Sequence, residues 1–259
     1  MRRLLGVLLL AAGAAAAHPA AADDLAAFAF DQRPGAAVPI DQPLRAEDGS
    51  MVTLREVGHG RPVLLVLGYF RCPNLCGVVR DDVFNALSRS RLGAARDYEL
   101  IAVSIDPAET PADAAHAKGD DMGRYPLPGA GEGWHFLTAG ASGTASLQSA
   151  IGFRSRFDAA TAQFLHPSGL VFLTPAGTVS SYLLGIGYEA ADLERRVQQA
   201  AAGTIGPAAS AVLLLCFHYD PATGRYSLAV TKLLRIASAL AALAIGAALI
   251  VAHRRDRAA

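Results

Sequence analysis

The chain has 259 residues, 52% of them hydrophobic, and its mean hydropathy is positive at +0.29. Its 23 Lys and Arg balance 23 Asp and Glu, so no global charge excess points to nucleic acid or to acidic partners. Three cysteines are too few for a disulfide scaffold, and the apolar excess lies at the two ends, which leaves about one ordinary domain between them.

Met1-Arg2-Arg3, an apolar stretch over 4–10 and a run of alanines read as a secretory signal peptide over 1–22. An uncleaved anchor helix is the competing reading; both export the globular part of the chain. Residues 23–43 have no clear period and read as an N-terminal arm. Asp48-Gly49 between short apolar stretches over 44–57 signals a hairpin. The apolar run 62–67 reads as a buried strand, and 77–89, with Val79, Val83, Phe84 and Leu87 on one side, as a helix. Cys72 and Cys76 therefore sit where a strand hands over to a helix. The positive end of the helix dipole stabilises a thiolate there, and a thiolate is both the nucleophile and the metal ligand. Two inert structural cysteines are the bland alternative.

A second buried strand over 98–105 ends in Asp106-Pro107. Thr110 as cap and Pro111 in the first turn open a helix reaching about Gly123. Next come a Pro/Gly loop over 125–133, a short strand over 134–138 and a helix over 142–150 stopped by Gly152. Residues 164–168 lead into a strand over 169–173, which turns at 174–178 and returns over 179–184. A helix over 189–202 ends at Gly203. This order predicts a central mixed sheet with helices on both faces.

Residues 204–231 lie outside that pattern. Asp220 to Gly224 reads as a turn between two apolar stretches, and in a strand Cys216 and His218 share a face. That pair is either a second metal contact, or a loading site for the dithiol, or a packed thiol beside a hydrogen-bonded histidine. Residues 232–253 are about long enough to span a bilayer, with Arg235 snorkelling. The basic tail over 254–259 puts the C-terminus in the cytoplasm and the domain outside, where thiols are readily oxidised. His59 and His116 read as solvated and His135 as packing; His18 goes with the signal peptide and His253 with the membrane flank.

A dithiol after the first central strand is similar to the thioredoxin fold, although three residues separate these cysteines where thioredoxin has two. Cys72-Pro73-Asn74-Leu75-Cys76, then Val103-Ser104-Ile105-Asp106-Pro107 with Thr110-Pro111, then a lone His166 before a hairpin strand together resemble the Sco (SenC-like) family over about residues 44–202. The resemblance implies a thioredoxin-like α/β fold, a mixed sheet flanked by helices, with one C-terminal transmembrane helix. It implies a copper chaperone for cytochrome c oxidase assembly in which Cys72, Cys76 and His166 hold Cu(I), Cu(II) or both. It implies a redox-active Cys72–Cys76 disulfide and a supporting role for Asp106. The expected partners are the oxidase subunit carrying the copper centre and another copper carrier. The expected place is the inner membrane, with the domain over residues 44–203 on the periplasmic side. The chain departs from many members at Gly77, where they have proline, and at Leu165, where they have an acidic residue; Pro167 stands about where thioredoxin relatives keep a cis proline.

The donor chemistry agrees. Sulfur favours Cu(I), and an added imidazole permits Cu(II), whereas structural zinc wants a fourth protein ligand. The same dithiol can exchange with disulfides, so an extracytoplasmic thiol–disulfide reductase is the alternative. A thiol peroxidase ranks last, for want of its threonine–cysteine signature.

Overall fold

The computed structural model describes residues 29–72, 76–159 and 162–208, with short pieces at 219–220, 225–226, 237–241, 243 and 246. The expected signal peptide, Pro73 to Leu75, Cys216, His218 and the C-terminal tail read as cytoplasmic lie outside the described residues, as does most of the 232–253 stretch. Among the described residues no helix is long and apolar enough to cross a membrane.

Strand β1 (Pro43–Arg45) pairs antiparallel with β2 (Met51–Thr53), across a turn where Gly49 takes a φ of 87° and Asp48 accepts from the Ser50 N–H. The second arm is shorter than the apolar pattern to Val57 implies. Thr53 and Glu56 form a reciprocal capping box that starts helix α1 (Leu54–Gly58), because two otherwise unpaired backbone donors are satisfied at once. Next come β3 (Val63–Gly68), α2 (Cys76–Ser88) and β4 (Glu99–Ser104). Thr110 and Asp113 then cap α3 (Pro111–Arg124) as expected, with Pro111 in its first turn. After α4 (Ala130–Gly133) the chain forms β5 (Trp134–Leu137) and α5 (Ala141–Ala150). A short antiparallel pair, β6 (Arg156–Asp158) and β7 (Gln163–Leu165), escapes the sequence reading because each arm has only three residues, too few to establish a period. The domain closes with β8 (Gly169–Leu173), β9 (Val179–Leu184) and α6 (Ala190–Ala201). Beyond it, β10 (Tyr219–Asp220) pairs antiparallel with β11 (Arg225–Tyr226); the expected turn between them lies outside the described residues.

The central sheet has the order β5-β4-β3-β8-β9. β3, β4 and β5 run parallel; β8 and β9 run antiparallel to their neighbours. This is the mixed sheet predicted. Both faces are buried, so period-2 alternation sorts apolar residues between two cores. Leu65, Leu67, Ile101, Val103 and Val171 face α1, α5 and the N-terminal arm. Leu64, Val66, Leu100, Trp134 and Phe172 face α2, α3 and α6, with Phe84 of α2 stacked on Trp134 at 4.1 Å between ring centroids.

The arm is built into the domain. Val38 and Ile40 are core residues, Ala37 bridges to Thr178, and Phe30 bridges to Phe153. Gly152 makes that last contact feasible. At a φ of 66° it presses so closely on the Asp31 carbonyl that a Cβ there would sit 1.8 Å from the oxygen.

Candidate functional site

The site lies past the C-terminal end of β3. The sheet ladder continues one bond beyond the strand, from the Ile105 N–H to the Gly68 carbonyl at 2.7 Å. There the chain must leave the sheet with backbone donors exposed, and a buried carboxylate receives them. Glu109, whose side chain is fully buried, accepts from the Phe70 N–H at 2.8 Å, the Arg71 N–H at 2.6 Å and the Ser104 hydroxyl at 2.5 Å. A buried carboxylate is tolerable only with such a set of donors. The result ties the exit of β3 to the exit of β4 and fixes the start of the loop that carries Cys72.

Phe70 is held from its other side as well. It stacks on Phe136, and the Arg80 guanidinium lies 5.9 Å from both ring centroids while bonding Asp121 at 2.7 Å. Asp106 occupies the turn after β4. It accepts from the Ala108 N–H at 2.8 Å and faces Arg71 at 3.7 Å, so it shapes the turn beside the loop. The half-exposed Arg71 also approaches Glu109 and Asp113 at 3.8 Å. Pairs this open to water contribute little individually.

Cys72 is half-buried and packs against the core face that contains Val38 and Tyr69. Cys76 is the first residue of α2, which puts it at the positive end of the helix dipole. His166 comes from the far side of the sequence, delivered by the β6–β7 pair. Its ring meets Tyr69 edge-on at 6.0 Å and stacks on Phe153 at 5.8 Å. Its Nδ1–H donates to the Pro167 carbonyl at 3.0 Å, so Nε2 carries the lone pair. Pro167 itself is joined through a trans peptide, as are all the described residues. Burial among these rings pushes the imidazole below its ordinary value. The Pro167 carbonyl and a nearby Cys72 thiolate oppose that shift without overcoming it.

The structure therefore brings Cys72 and His166 into one another's field and sets the backbone of Cys76 at the head of the adjoining helix. Glu109 and the Tyr69–Phe153 frame were missed from the sequence. The signal for Glu109 was an acidic residue between the Asp106-Pro107 turn and the Thr110 cap; the frame has no local signature.

This geometry has two testable consequences. Glu109→Ala strands two backbone donors and a hydroxyl. Denaturant unfolding should show a loss of about 1–3 kcal/mol, and the Phe70 and Arg71 amides should exchange faster with deuterated solvent; unchanged exchange would contradict the assigned role. His166 should titrate below about 6.5 by NMR. Between that value and its depressed folded value, the unfolded chain holds a proton that the folded chain refuses. Its stability contribution is thus fully present above about pH 6.5 and falls as pH drops through that window; His166→Gln should remove this part of the slope.

No protein-family model matches the sequence, and no curated protein does. Solved structures do. A protein from Aquifex aeolicus VF5 named for electron transfer is 23% identical, with a TM-score of 0.57 over 66% of this chain and 95% of that one. ScoI of Arabidopsis thaliana, solved with copper bound, is 14% identical, with a TM-score of 0.52 over 64% of this chain and 99% of that one. BsSco, a member of the Sco family of cytochrome c oxidase assembly proteins in which a disulfide switch was identified, is 19% identical, with a TM-score of 0.51 over 67% and 97%. At these identities the likeness is one of fold: the chain has the α/β architecture, a central mixed sheet flanked by helices, of these Sco-type structures.

Proposed function

We propose that the chain is a copper-binding protein of oxidase assembly that holds its cargo through Cys72, Cys76 and His166 and passes it on to the copper centre of cytochrome c oxidase. The observation that carries this reading is the convergence of Cys72 and His166, far apart in sequence, beside the first turn of the helix that begins at Cys76. The donor set fits the metal. Thiolate sulfur suits Cu(I) and a neutral imidazole nitrogen admits Cu(II), and the depressed His166 value keeps the imidazole neutral and ready to bind. Copper bound to ScoI of Arabidopsis thaliana and the oxidase-assembly role of BsSco's family support it.

In this reading the chain's residues do four things. Glu109 holds the start of the thiol loop in place, so that little ordering is left for metal capture. The dipole of α2 favours thiolate at Cys76. The Tyr69–Phe153 frame orients the imidazole, and the Pro167 carbonyl selects its tautomer. Three protein donors leave a position open to a receiving site, as a carrier needs. The signal peptide over 1–22 exports this domain, and the membrane span over 232–253 tethers it on the periplasmic side of the inner membrane, next to its oxidase partner. A second copper carrier upstream would load it.

The test is an oxygen-free titration of the reduced full-length chain with Cu(I), and separately with Cu(II), against a competing chelator. One tight copper is expected per chain, lost in Cys72→Ser. His166→Ala should weaken it by more than about 10-fold, since even outer-shell changes at metal sites cost that much. No tight copper, or binding indifferent to His166 alongside efficient reduction of a disulfide substrate, would overturn the carrier and leave a thiol–disulfide reductase.

A further inference from the structure

The opposite end of the sheet holds a second group of ligand-type side chains. Glu99 opens β4 and pairs across the sheet with Val63, the first residue of β3. Cys72 lies beyond the other end of that six-residue strand, about 20 Å away. Glu99 and Ile101 share a face by alternation, and His135 of β5 is in register with Ile101, so the His135 imidazole stands on the face that bears the Glu99 carboxylate. His59 reaches the same point from the turn that ends α1, where its own backbone adopts the left-handed conformation.

Their distances are not those of a hydrogen-bonded cluster. His135 Nε2 lies 3.4 Å from Glu99 Oε2, and His59 Nδ1 lies 3.4 Å from Glu99 Oε1, both longer than a normal hydrogen bond. One donor atom from each of the three residues falls within 4.8 Å of the others. Glu99 is 0% exposed, and its Oε2 and the His135 Nε2 are buried with no hydrogen-bond partner. Two orphaned polar atoms facing one another across a gap are costly and need a guest. Two donors each about 2.1 Å from a tetrahedral ion lie about 3.4 Å apart, which is the distance of each histidine nitrogen from its own nearer Glu99 oxygen. Arg61 donates to Glu99 Oε1 at 2.5 Å; this orients the carboxylate, in the way an outer-shell donor supports a metal-binding carboxylate.

We infer that His59, Glu99 and His135 form a site for a divalent transition-metal ion of the zinc class, separate from the thiol site. Two nitrogens and a carboxylate oxygen without sulfur select against Cu(I) and for Zn2+ or Cu2+. Because the half-exposed His59 closes the site from a turn, solvent reaches the fourth position. The bound ion links the turn after α1 to the starts of β4 and β5. This assignment does not rest on the copper reading of the thiol site.

The test is calorimetric titration with Zn2+ of the full-length chain carrying Cys72→Ser, Cys76→Ser and Cys216→Ser, which removes all three competing thiolates. One zinc equivalent should remain, and it should vanish when either His59→Gln or His135→Gln is added. Zinc at about 100 times its Kd should raise Tm by about 5–10 °C in the parent and leave both histidine variants unmoved. As a check that does not depend on the cysteine substitutions, the unsubstituted chain titrated with Co2+ should lose one equivalent in His135→Gln while sulfur-to-cobalt charge transfer persists. Absence of the zinc equivalent, or its survival in both histidine variants, would overturn the assignment.

Discussion

A buried carboxylate holds the thiol loop in place. Glu109 collects two consecutive loop amides and the Ser104 hydroxyl, and through them it locks the exits of two neighbouring parallel strands. Without it, a strand leaving the sheet would present unpaired donors in a region walled by Tyr69, Phe70 and Phe136, where water cannot satisfy them. Apolar packing alone does not give a loop direction, because it is insensitive to small rotations of the backbone. Three charge-assisted bonds to one rigid acceptor do give it one. Cys72 is the residue directly after the last of these amides.

The histidine arrives by a different physical route. Phe30 meets both Phe153 and Tyr182 edge-on, and Phe153 stacks on the imidazole. The chain can approach closely enough for this only because Gly152 lacks a Cβ. Tyr182 then donates to the Ile151 carbonyl and accepts from the Arg33 N–H, which pins the arm to the segment that precedes the β6–β7 pair. So an arm that looks structureless in the sequence sets the floor beneath His166, one of the proposed ligands. A ring held this way is costly to charge and cheap to keep neutral, which is the state a soft-metal site requires.

The fold was largely legible because its determinants are local. The apolar runs of β3 and β4, the Thr110-Pro111 start of α3, the turn at 174–178 and the Gly203 stop each declare themselves within a few residues. Cys72, Cys76 and His166 were singled out by their spacing and a family resemblance, and the structure places Cys72 near His166. Glu109 was not legible, since its meaning comes from amides almost forty positions earlier. The β6–β7 pair was missed because each arm is only three residues, too short to establish a period. His59 and His135, read as solvated and as packing, gain their proposed role only from Glu99, which reads locally as a polar residue near the start of a strand. Long-range polar partners are where reading by period and propensity fails, because neither encodes who meets whom across the sheet.

The most direct measurement is X-ray absorption at the copper edge on the copper-loaded full-length chain, compared with His166→Ala. The account predicts a first shell containing sulfur from Cys72 and Cys76 together with one imidazole, whose multiple-scattering signature disappears in the variant while the sulfur remains. A shell of nitrogen and oxygen only, or an imidazole signature that persists in His166→Ala, would contradict it.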